Sequence, residues 1–242
     1  MRFGQIVRFG KIRPGFPRLT VGVVLLCLVG LTALAFQATQ TAPVHPATGR
    51  RIAGVMSMAG ADWLVRPERE QEEQPDKALD EIGITPGMDI ADIGAGVGYF
   101  TLKFAERTGS QGTVYAVDIQ QAMLDRLKQR ADAAGLDNIE YVLSQQGDPH
   151  LAPNSVDLIF LCDVYHEFRY PQQMARKMRE ALRPDGRLVL LEYRGEDPDI
   201  PIYPEHKMTV EQVRAELEPE GFVLQEPIET LPIQHILILT KK

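Results

Sequence analysis

From residue 75 onward, short apolar runs alternate with segments whose apolar residues recur at helical spacing. Strand-like runs such as TVYAVDI and VDLIFLCDVY are separated by helix-like segments such as QQAMLDRLKQRADAAG. Strands that alternate with helices are joined by right-handed crossovers, which place them side by side in a mainly parallel sheet. The alternation therefore predicts an α/β fold with a doubly wound sheet.

The C-terminal end departs from this alternation. Two strand-like runs, FVLQEPIE and QHILILTKK, are joined only by a short link at residues 230–232. Such a link is too short for a crossover connection, so the two strands must pair antiparallel. We predict seven strands, of which the last is reversed.

A glycine-rich turn, DIGAGVGYFT at residues 92–101, follows the first predicted strand and opens a helix. Glycines at this position let the backbone approach a ligand at the carboxyl end of the sheet. Gly94, Gly96 and Gly98 have the spacing G-x-G-x-G. A dinucleotide fingerprint needs a third glycine at the sixth position, which is Tyr99 here, so the spacing argues against NAD.

An acidic residue, Asp118, ends the second predicted strand 20 residues after Gly98. A carboxylate there can accept hydrogen bonds from both hydroxyls of a ribose, and an adenosine ligand satisfies both this residue and the glycine turn. Five features follow one another along the chain: ADIGAGVGYFT, VYAVDI, VDLIFLCDVYHEF, LRPDGRLVLLEY and the terminal strand pair. In this order they resemble the class I S-adenosylmethionine-dependent methyltransferases. The resemblance runs from about residue 75 to the C-terminus and implies a Rossmann-like methyltransferase fold with S-adenosylmethionine as cofactor.

The resemblance also implies which residues contact the cofactor. Asp92 and the three glycines are expected beside the methionine and ribose moieties, Asp118 at the ribose diol and Ile119 beside the adenine. Asp148, in QQGDP, is a candidate partner of the adenine amino group, although an ordinary turn before Pro149 explains it equally well. With Asp163 added, the predicted cofactor-binding residues are Asp92, Gly94, Gly96, Gly98, Asp118, Ile119, Asp148 and Asp163.

The methyl acceptor is expected near the ends of the fourth and fifth strands. There CDVYHEF offers Tyr165 and His166, and the later segment PEHKM offers His206. An imidazole titrates near working pH, so either histidine is a candidate general base, and Tyr165 is a third candidate catalytic residue. For His166 the alternative is a wall of the pocket or the start of a helix.

Among the methyltransferases, the pattern is most similar to those that act on small molecules, including the ubiquinone/menaquinone and arsenite groups. Arsenite is disfavoured because Cys162 is the one cysteine in the predicted domain. CDVY stands where amide-nitrogen methyltransferases carry an Asn-Pro-Pro-Tyr signature. A small or lipophilic acceptor is therefore expected.

The charge of the domain and the spacing of the histidines argue against a nucleic-acid-binding protein and against a metal site. Seven of the 26 basic residues lie within residues 1–51, which contain no acidic residue, so the remainder has 19 basic against 33 acidic side chains, a net charge of −14. Such a domain repels phosphate backbones, so nucleic acid is not an expected partner. The five histidines have no metal-ligand spacing, and no metal site is predicted.

The N-terminal region has its own organisation. Residues 1–18 form a basic flank, residues 19–36 (LTVGVVLLCLVGLTALAF) are uncharged, and residues 37–52 have the composition of a linker. The uncharged stretch is either a retained transmembrane helix or the core of a cleaved signal peptide. With the basic flank in the cytoplasm, the domain would lie on the outer side of the membrane, whereas S-adenosylmethionine is made inside cells. Residues 53–74 are an N-terminal extension and a candidate lid, and residues 75–242 are the methyltransferase domain.

Three functions are compatible with these features. The first is methyl transfer from S-adenosylmethionine to a small or lipophilic acceptor. The second is an inactive S-adenosylmethionine-binding protein that retained the pocket. The third is an NAD(P)-dependent oxidoreductase, disfavoured by the glycine spacing and the reversed last strand. The oligomeric state is left open by the sequence.

Overall fold

The computed structural model describes residues 43–242. The predictions for the basic flank, for the uncharged segment 19–36 and for residues 37–42 of the linker concern residues outside this range. Within residues 43–242, no helix is both long enough and apolar enough to cross a membrane.

The described residues form six α-helices, eight strands and several short 3-10 turns. The helices are α1 (Arg69–Glu73), α2 (Pro75–Ile82), α3 (Tyr99–Thr108), α4 (Gln121–Ala134), α5 (Pro171–Ala181) and α6 (Val210–Leu217). The strands are β1 (Ile90–Ile93), β2 (Val114–Asp118), β3 (Ile139–Leu143), β4 (Val156–Cys162), β5 (Leu182–Arg194), β6 (Lys207–Met208), β7 (Phe222–Leu224) and β8 (Gln234–Lys241).

The strands form one sheet in the order β3-β2-β1-β4-β5-β8-β7. The pairs from β3 to β5 are parallel, and β8 is antiparallel to both of its neighbours, β5 and β7. The predicted seven-stranded sheet with a reversed last strand is confirmed. The two-residue strand β6 was not predicted; it pairs with the end of β5, parallel to it.

The segment RPDG, whose Pro, Asp and Gly are typical of a turn, lies inside β5 as an irregularity. Val156 of β4 pairs with Leu182, and Leu158 pairs with Arg187, so residues 183–186 have no partners on β4. Pro184 lacks a backbone N–H and cannot continue the ladder, which is why the pairing is interrupted here.

Apolar side chains cover both faces of the sheet, as expected for parallel strands between two layers of helices. One buried cluster contains Met174 and Met178 of α5 and Leu217 of α6. The other contains Leu79 of α2 and Phe104 of α3. The central strands are therefore held rigidly, and their carboxyl ends provide a fixed edge for a site.

The residues before the predicted domain pack against it. Val44 and Arg51 form an antiparallel bridge, and the Arg50 guanidinium donates to both carboxylate oxygens of Glu216 at 3.0 and 2.9 Å. Residues 43–52 of the predicted linker are thus in contact with α6. The predicted extension consists of two 3-10 turns, Met58–Gly60 and Trp63–Val65, followed by α1.

Candidate active site

A cavity of about 870 Å³ lies at the carboxyl ends of the parallel strands. The glycine turn after β1, the end of β2, the turn after β4 and the end of β5 contribute to its walls. The extension contributes residues from Val55 to Arg69, and the segment before β6 contributes residues 201–206. This is the edge at which open α/β sheets bind ligands, and the volume lies within the range of small-molecule sites.

The glycine turn brings backbone to the cavity wall. Gly94 and Gly96 line the cavity, and Gly96 has a φ of +54°, in the region that favours glycine. A Cβ atom at Gly96 would lie 3.0 Å from Leu64 Cδ1 of the extension, so a side chain there would occupy space between the turn and the extension. The absence of a side chain keeps this part of the wall open to a ligand.

Gly98 has a different role. Its φ is +84°, and a Cβ atom there would lie 2.6 Å from Leu127 Cγ on α4. Gly98 is not part of the cavity wall, so the close approach it permits is between α3 and α4.

Asp118 joins the glycine turn to the end of β2. Its carboxylate is 7% exposed and accepts hydrogen bonds from the backbone N–H groups of Gly96 and Gln120, both at 2.8 Å. Burial raises the pKa of Asp118, and the two backbone donors act in the opposite direction. Because the carboxylate also lines the cavity, it is in place to accept hydrogen bonds from a ligand.

Asp92 lies one layer behind the cavity wall. It is buried, and its carboxylate accepts a 2.6 Å hydrogen bond from the Thr101 hydroxyl on α3. Burial raises the pKa of Asp92 to about 7, despite the hydrogen bond from Thr101. Asp92 therefore ties β1 to α3 beneath the glycine turn, and its expected contact with the cofactor stays a prediction.

Asp163 follows β4 and faces a polar group of side chains. Its φ is +54°, which is uncommon for a residue with a side chain. One carboxylate oxygen accepts a 2.9 Å hydrogen bond from Gln234, and the other is buried with no hydrogen-bond partner among the described residues. Burial raises the pKa of Asp163 well above its usual range, and the nearby carboxylates of Glu73 and Glu192 raise it further. A cation in the cavity would relieve this charge imbalance.

Arg69, which sequence reasoning did not single out, is the main cation of this region. Its guanidinium donates to Glu73 at 2.7 Å, to the backbone oxygen of Leu64 at 2.8 Å and to Cys162 Sγ at 3.3 Å. The side chain is buried and lines the cavity. Arg69 therefore connects the extension to the end of β4, a contact that no local pattern of the sequence reveals.

His166 and His206 meet in the cavity wall, although they lie 40 positions apart in the sequence. His166 Nε2 is 3.1 Å from His206 Nδ1. On its other side, His166 Nδ1 is 2.6 Å from Glu192 Oε2, and Glu192 Oε1 accepts from the backbone N–H of Tyr165 at 3.0 Å. The two candidate histidines are thus one structural unit, oriented by a buried carboxylate at the end of β5.

The pKa values of the two rings shift in opposite directions. Burial alone would lower the pKa of His166, but the adjacent Glu192 carboxylate outweighs it and raises the pKa. Burial and the neighbouring His166 lower the pKa of His206. The two shifts favour the protonated form of His166 and the neutral form of His206.

The remaining predicted residues lie as follows. Ile119 lines the cavity next to Asp118. Asp148 is not in the cavity wall; it accepts from the backbone N–H of His150 at 2.8 Å, while Ser144, Gln145 and Gln146 line the cavity beside it. Tyr165 is fully buried in the core below Arg50 and away from the cavity wall. The roles proposed for Asp148 and Tyr165 stay predictions.

Apolar side chains also line the cavity. They include Phe168, Met174 and Ile202, and the exposed side chain of Tyr203 stands at the rim. The cavity therefore combines the Asp118 carboxylate and the histidine pair with apolar surface.

Comparison with known proteins agrees with this geometry. A family model described as "Methyltransferase domain" matches residues 84–228. Nocamycin O-methyltransferase of Saccharothrix syringae is 30% identical over 58% of this chain and 48% of its own length. A ubiquinone/menaquinone biosynthesis C-methyltransferase of Hahella chejuensis is 33% identical over 48% of this chain and 47% of its own length. The chain thus spans about half the length of these curated relatives.

Among solved structures, a SAM-dependent methyltransferase from Aquifex aeolicus matches with a TM-score of 0.72 and 25% identity, over 76% of this chain and 99% of that one. The fold and the family match define a class I methyltransferase domain. The chain belongs to the methyltransferase-domain family whose model matches it, and S-adenosylmethionine is its cofactor.

The residues present fit this cofactor. It combines a nucleoside with a positively charged sulfonium and an amino acid. Asp118 offers a buried carboxylate to a ribose, and the unpartnered oxygen of Asp163 offers an acceptor to a cation. When bound, S-adenosylmethionine supplies an electrophilic methyl group.

Proposed function

We propose that the protein catalyses methyl transfer from S-adenosylmethionine to a small, largely apolar acceptor that loses a proton beside His206. The carrying observation is that one cavity is lined by the Asp118 carboxylate, by the His166–His206 pair and by apolar side chains. The cofactor accounts for the side at Asp118, which leaves the side at the histidines for the acceptor. The names of the relatives include both O- and C-methyltransferases, so they support the reaction type without selecting the acceptor atom.

The residues of the chain would act mainly by alignment, because the cofactor itself provides the reactive methyl group. Glu192 holds the His166 ring, and His166 in turn positions His206. A neutral His206 then takes the proton of the acceptor as the acceptor attacks the methyl carbon. The apolar side chains of Phe168, Met174 and Ile202 would help to exclude water from the acceptor.

Exposed apolar side chains at the opening of the cavity support a lipophilic acceptor. Val55, Trp63 and Tyr203 line the cavity and are exposed large apolar side chains, with Tyr203 76% exposed. Exposed apolar side chains around an opening are typical of a binding site for an apolar partner. A quinone precursor or another membrane-soluble compound belongs to the proposed class.

Residues 19–36 support a membrane location for such an acceptor. We propose that this uncharged segment of 18 residues anchors the protein to a membrane, near lipophilic compounds. Protease treatment of intact cells tests the side on which the domain lies: cleavage only after permeabilisation would place it inside, where the cofactor is made. Recovery of the domain from the soluble fraction of lysed cells would contradict anchoring.

Methyl transfer is tested by incubating the purified protein with methyl-labelled S-adenosylmethionine and a lipid extract, in parallel with a water-soluble extract. We expect labelled product from the lipid extract, and at least a tenfold lower rate for His206→Ala with unchanged cofactor affinity. Cofactor binding with no turnover on either extract would instead identify a binding protein without catalytic activity. Product from the water-soluble extract alone would contradict the lipophilic acceptor.

A further inference from the structure

Three potential metal ligands lie close together in the cavity wall. His166, Glu167 and His206 each place a ligand atom within 4.8 Å of those of the other two, and all three residues line the cavity. We name these three residues the histidine cluster. Its members come from the turn Tyr165–Glu167 after β4 and the turn Pro204–His206 before β6.

We propose that the histidine cluster is a binding site for a divalent first-row transition ion such as Zn²⁺. The separation of 3.1 Å between His166 Nε2 and His206 Nδ1 is the first support. Two imidazole nitrogens, each about 2.0–2.1 Å from one tetrahedral ion, lie roughly 3.3 Å apart. The two rings thus have the spacing of neighbouring ligands, and rotation of the flexible Glu167 side chain brings its carboxylate to the same ion.

Glu192 provides the second support. An ionised carboxylate only accepts, so the ring hydrogen of His166 lies on Nδ1, facing Glu192 Oε2 at 2.6 Å. In the neutral ring the lone pair of Nε2 then faces His206. A carboxylate that fixes the tautomer of a histidine in this way is the usual neighbour of a metal-binding imidazole. Glu192 is itself held by the backbone N–H of Tyr165, so the orientation is rigid.

The other cluster of potential ligands, Glu73, Cys162 and Asp163, already has a cation. The Arg69 guanidinium lies against Glu73 and Cys162 at 2.7 and 3.3 Å. Among the described residues, no Lys or Arg forms an ion pair with Glu167, so the histidine cluster lacks the guanidinium that the other cluster contains.

Two imidazoles and one carboxylate leave one position open on a four-coordinate ion, as in catalytic zinc sites. Facing the cavity, this position suits an oxygen atom of the acceptor, whose pKa the ion would lower. This role rests on the proposed methyl transfer: with the ion bound, His206 would serve as a ligand and the acceptor oxygen, with its pKa lowered, would release its proton to solvent before it attacks the methyl group. Binding of the ion itself is independent of that function and is tested without any acceptor.

The purified full chain, stripped with a chelator, is titrated with Co²⁺ alone and followed by visible absorption. We expect one Co²⁺ per chain, with the strong visible bands of a low-coordinate site, displaced by Zn²⁺. His206→Ala is expected to weaken Co²⁺ binding at least tenfold, and Glu192→Gln, which keeps the shape but removes the charge, by about 10- to 100-fold. His150→Gln is the matched control, because His150 contacts only the Leu143 backbone with its ring and lies outside the cavity wall.

Titration of S-adenosylhomocysteine into the same samples shows whether each variant is folded and keeps its cofactor pocket. If a variant is unfolded, the wild type alone decides: Zn²⁺ must raise its melting temperature, and a chelator must reverse the rise. Absence of Co²⁺ bands and of a Zn²⁺-dependent shift would overturn the proposal, and so would equal Co²⁺ affinity in wild type, His206→Ala and His150→Gln. Metal binding without methyl transfer would contradict only the proposed function.

Discussion

At the scale of single residues, buried carboxylates dominate the site. Asp92, Asp118, Asp163 and Glu192 all lie at the carboxyl ends of strands, largely removed from water. Burial of a charge is costly unless donors or cations compensate it. Asp118 has two backbone donors, whereas Asp163 has one side-chain donor, Gln234, so a cation would stabilise the ionised form of Asp163 further.

The first prediction concerns Asp118. Asp118→Ala removes a charged acceptor for the ribose and two hydrogen bonds that hold the glycine turn, so S-adenosylhomocysteine should bind about 2 kcal/mol more weakly, roughly 30-fold. Calorimetric titration measures the change. Asp125→Ala, an exposed carboxylate on α4, is the control and should bind normally. Unchanged affinity in Asp118→Ala would remove this residue from the cofactor site.

The second prediction concerns Asp92 and pH. Its pKa is raised from 3.8 to about 7 in the folded state, so between these values the folded protein binds more protons than the unfolded one. Stability from this group is therefore lost as pH rises through that interval, by on the order of 4 kcal/mol in total. Asp92→Asn keeps an acceptor for Thr101 but cannot ionise. Its free energy of unfolding, relative to wild type, should rise between pH 4 and 7; a constant difference would contradict the pKa.

At the scale of elements, the site depends on turns that follow strands and on the extension that covers them. The glycine turn and Asp118 were predictable because they lie within one strand–turn–helix pattern and the next strand end. The meeting of His166 with His206, and of Arg69 with Cys162, was not predictable, because each pair joins distant turns that come together only through packing of the sheet. For the same reason, the lack of metal-ligand spacing in the sequence gave no information about the histidine cluster.

The third prediction concerns the glycine turn. Gly96→Val places a branched side chain at a φ of +54° and against Leu64, in the space between turn and extension. Cofactor binding should be lost while the fold remains. Gly135→Ala is the matched control: its φ is +70° but no atom lies within 4 Å of the new Cβ. It should cost about 1 kcal/mol of stability and leave binding intact. Normal binding by Gly96→Val would show that the turn does not approach the cofactor.

The fourth prediction concerns the extension as a lid. Val55, Trp63 and Leu64 line the cavity, and the segment from Val55 to Val65 contains only 3-10 turns, whose backbone hydrogen bonds open easily. We expect S-adenosylhomocysteine to slow amide hydrogen exchange in residues 55–66 more than in α6, which contributes no residue to the cavity wall. Equal protection of both regions, or none in the extension, would contradict closure over the ligand.

At the scale of the whole molecule, the reversed last strand follows from the sequence, because the link at residues 230–232 is too short for a crossover connection. The order of the strands was not predicted; the structure provides it. The sheet brings the turns after several strands to one edge, where they line one cavity together with the extension. No single segment forms the cavity wall. This is why the cofactor was predictable from motifs, whereas the acceptor remains a proposal.

The central claim is that the part of the cavity at the glycine turn and Asp118 binds S-adenosylmethionine. The most direct test is calorimetric titration of the purified protein with S-adenosylmethionine, S-adenosylhomocysteine and NAD. We predict that the first two bind with one molecule per chain and that NAD gives no binding heat. Failure of both sulfur-containing nucleosides to bind, or tighter binding of NAD, would contradict the account.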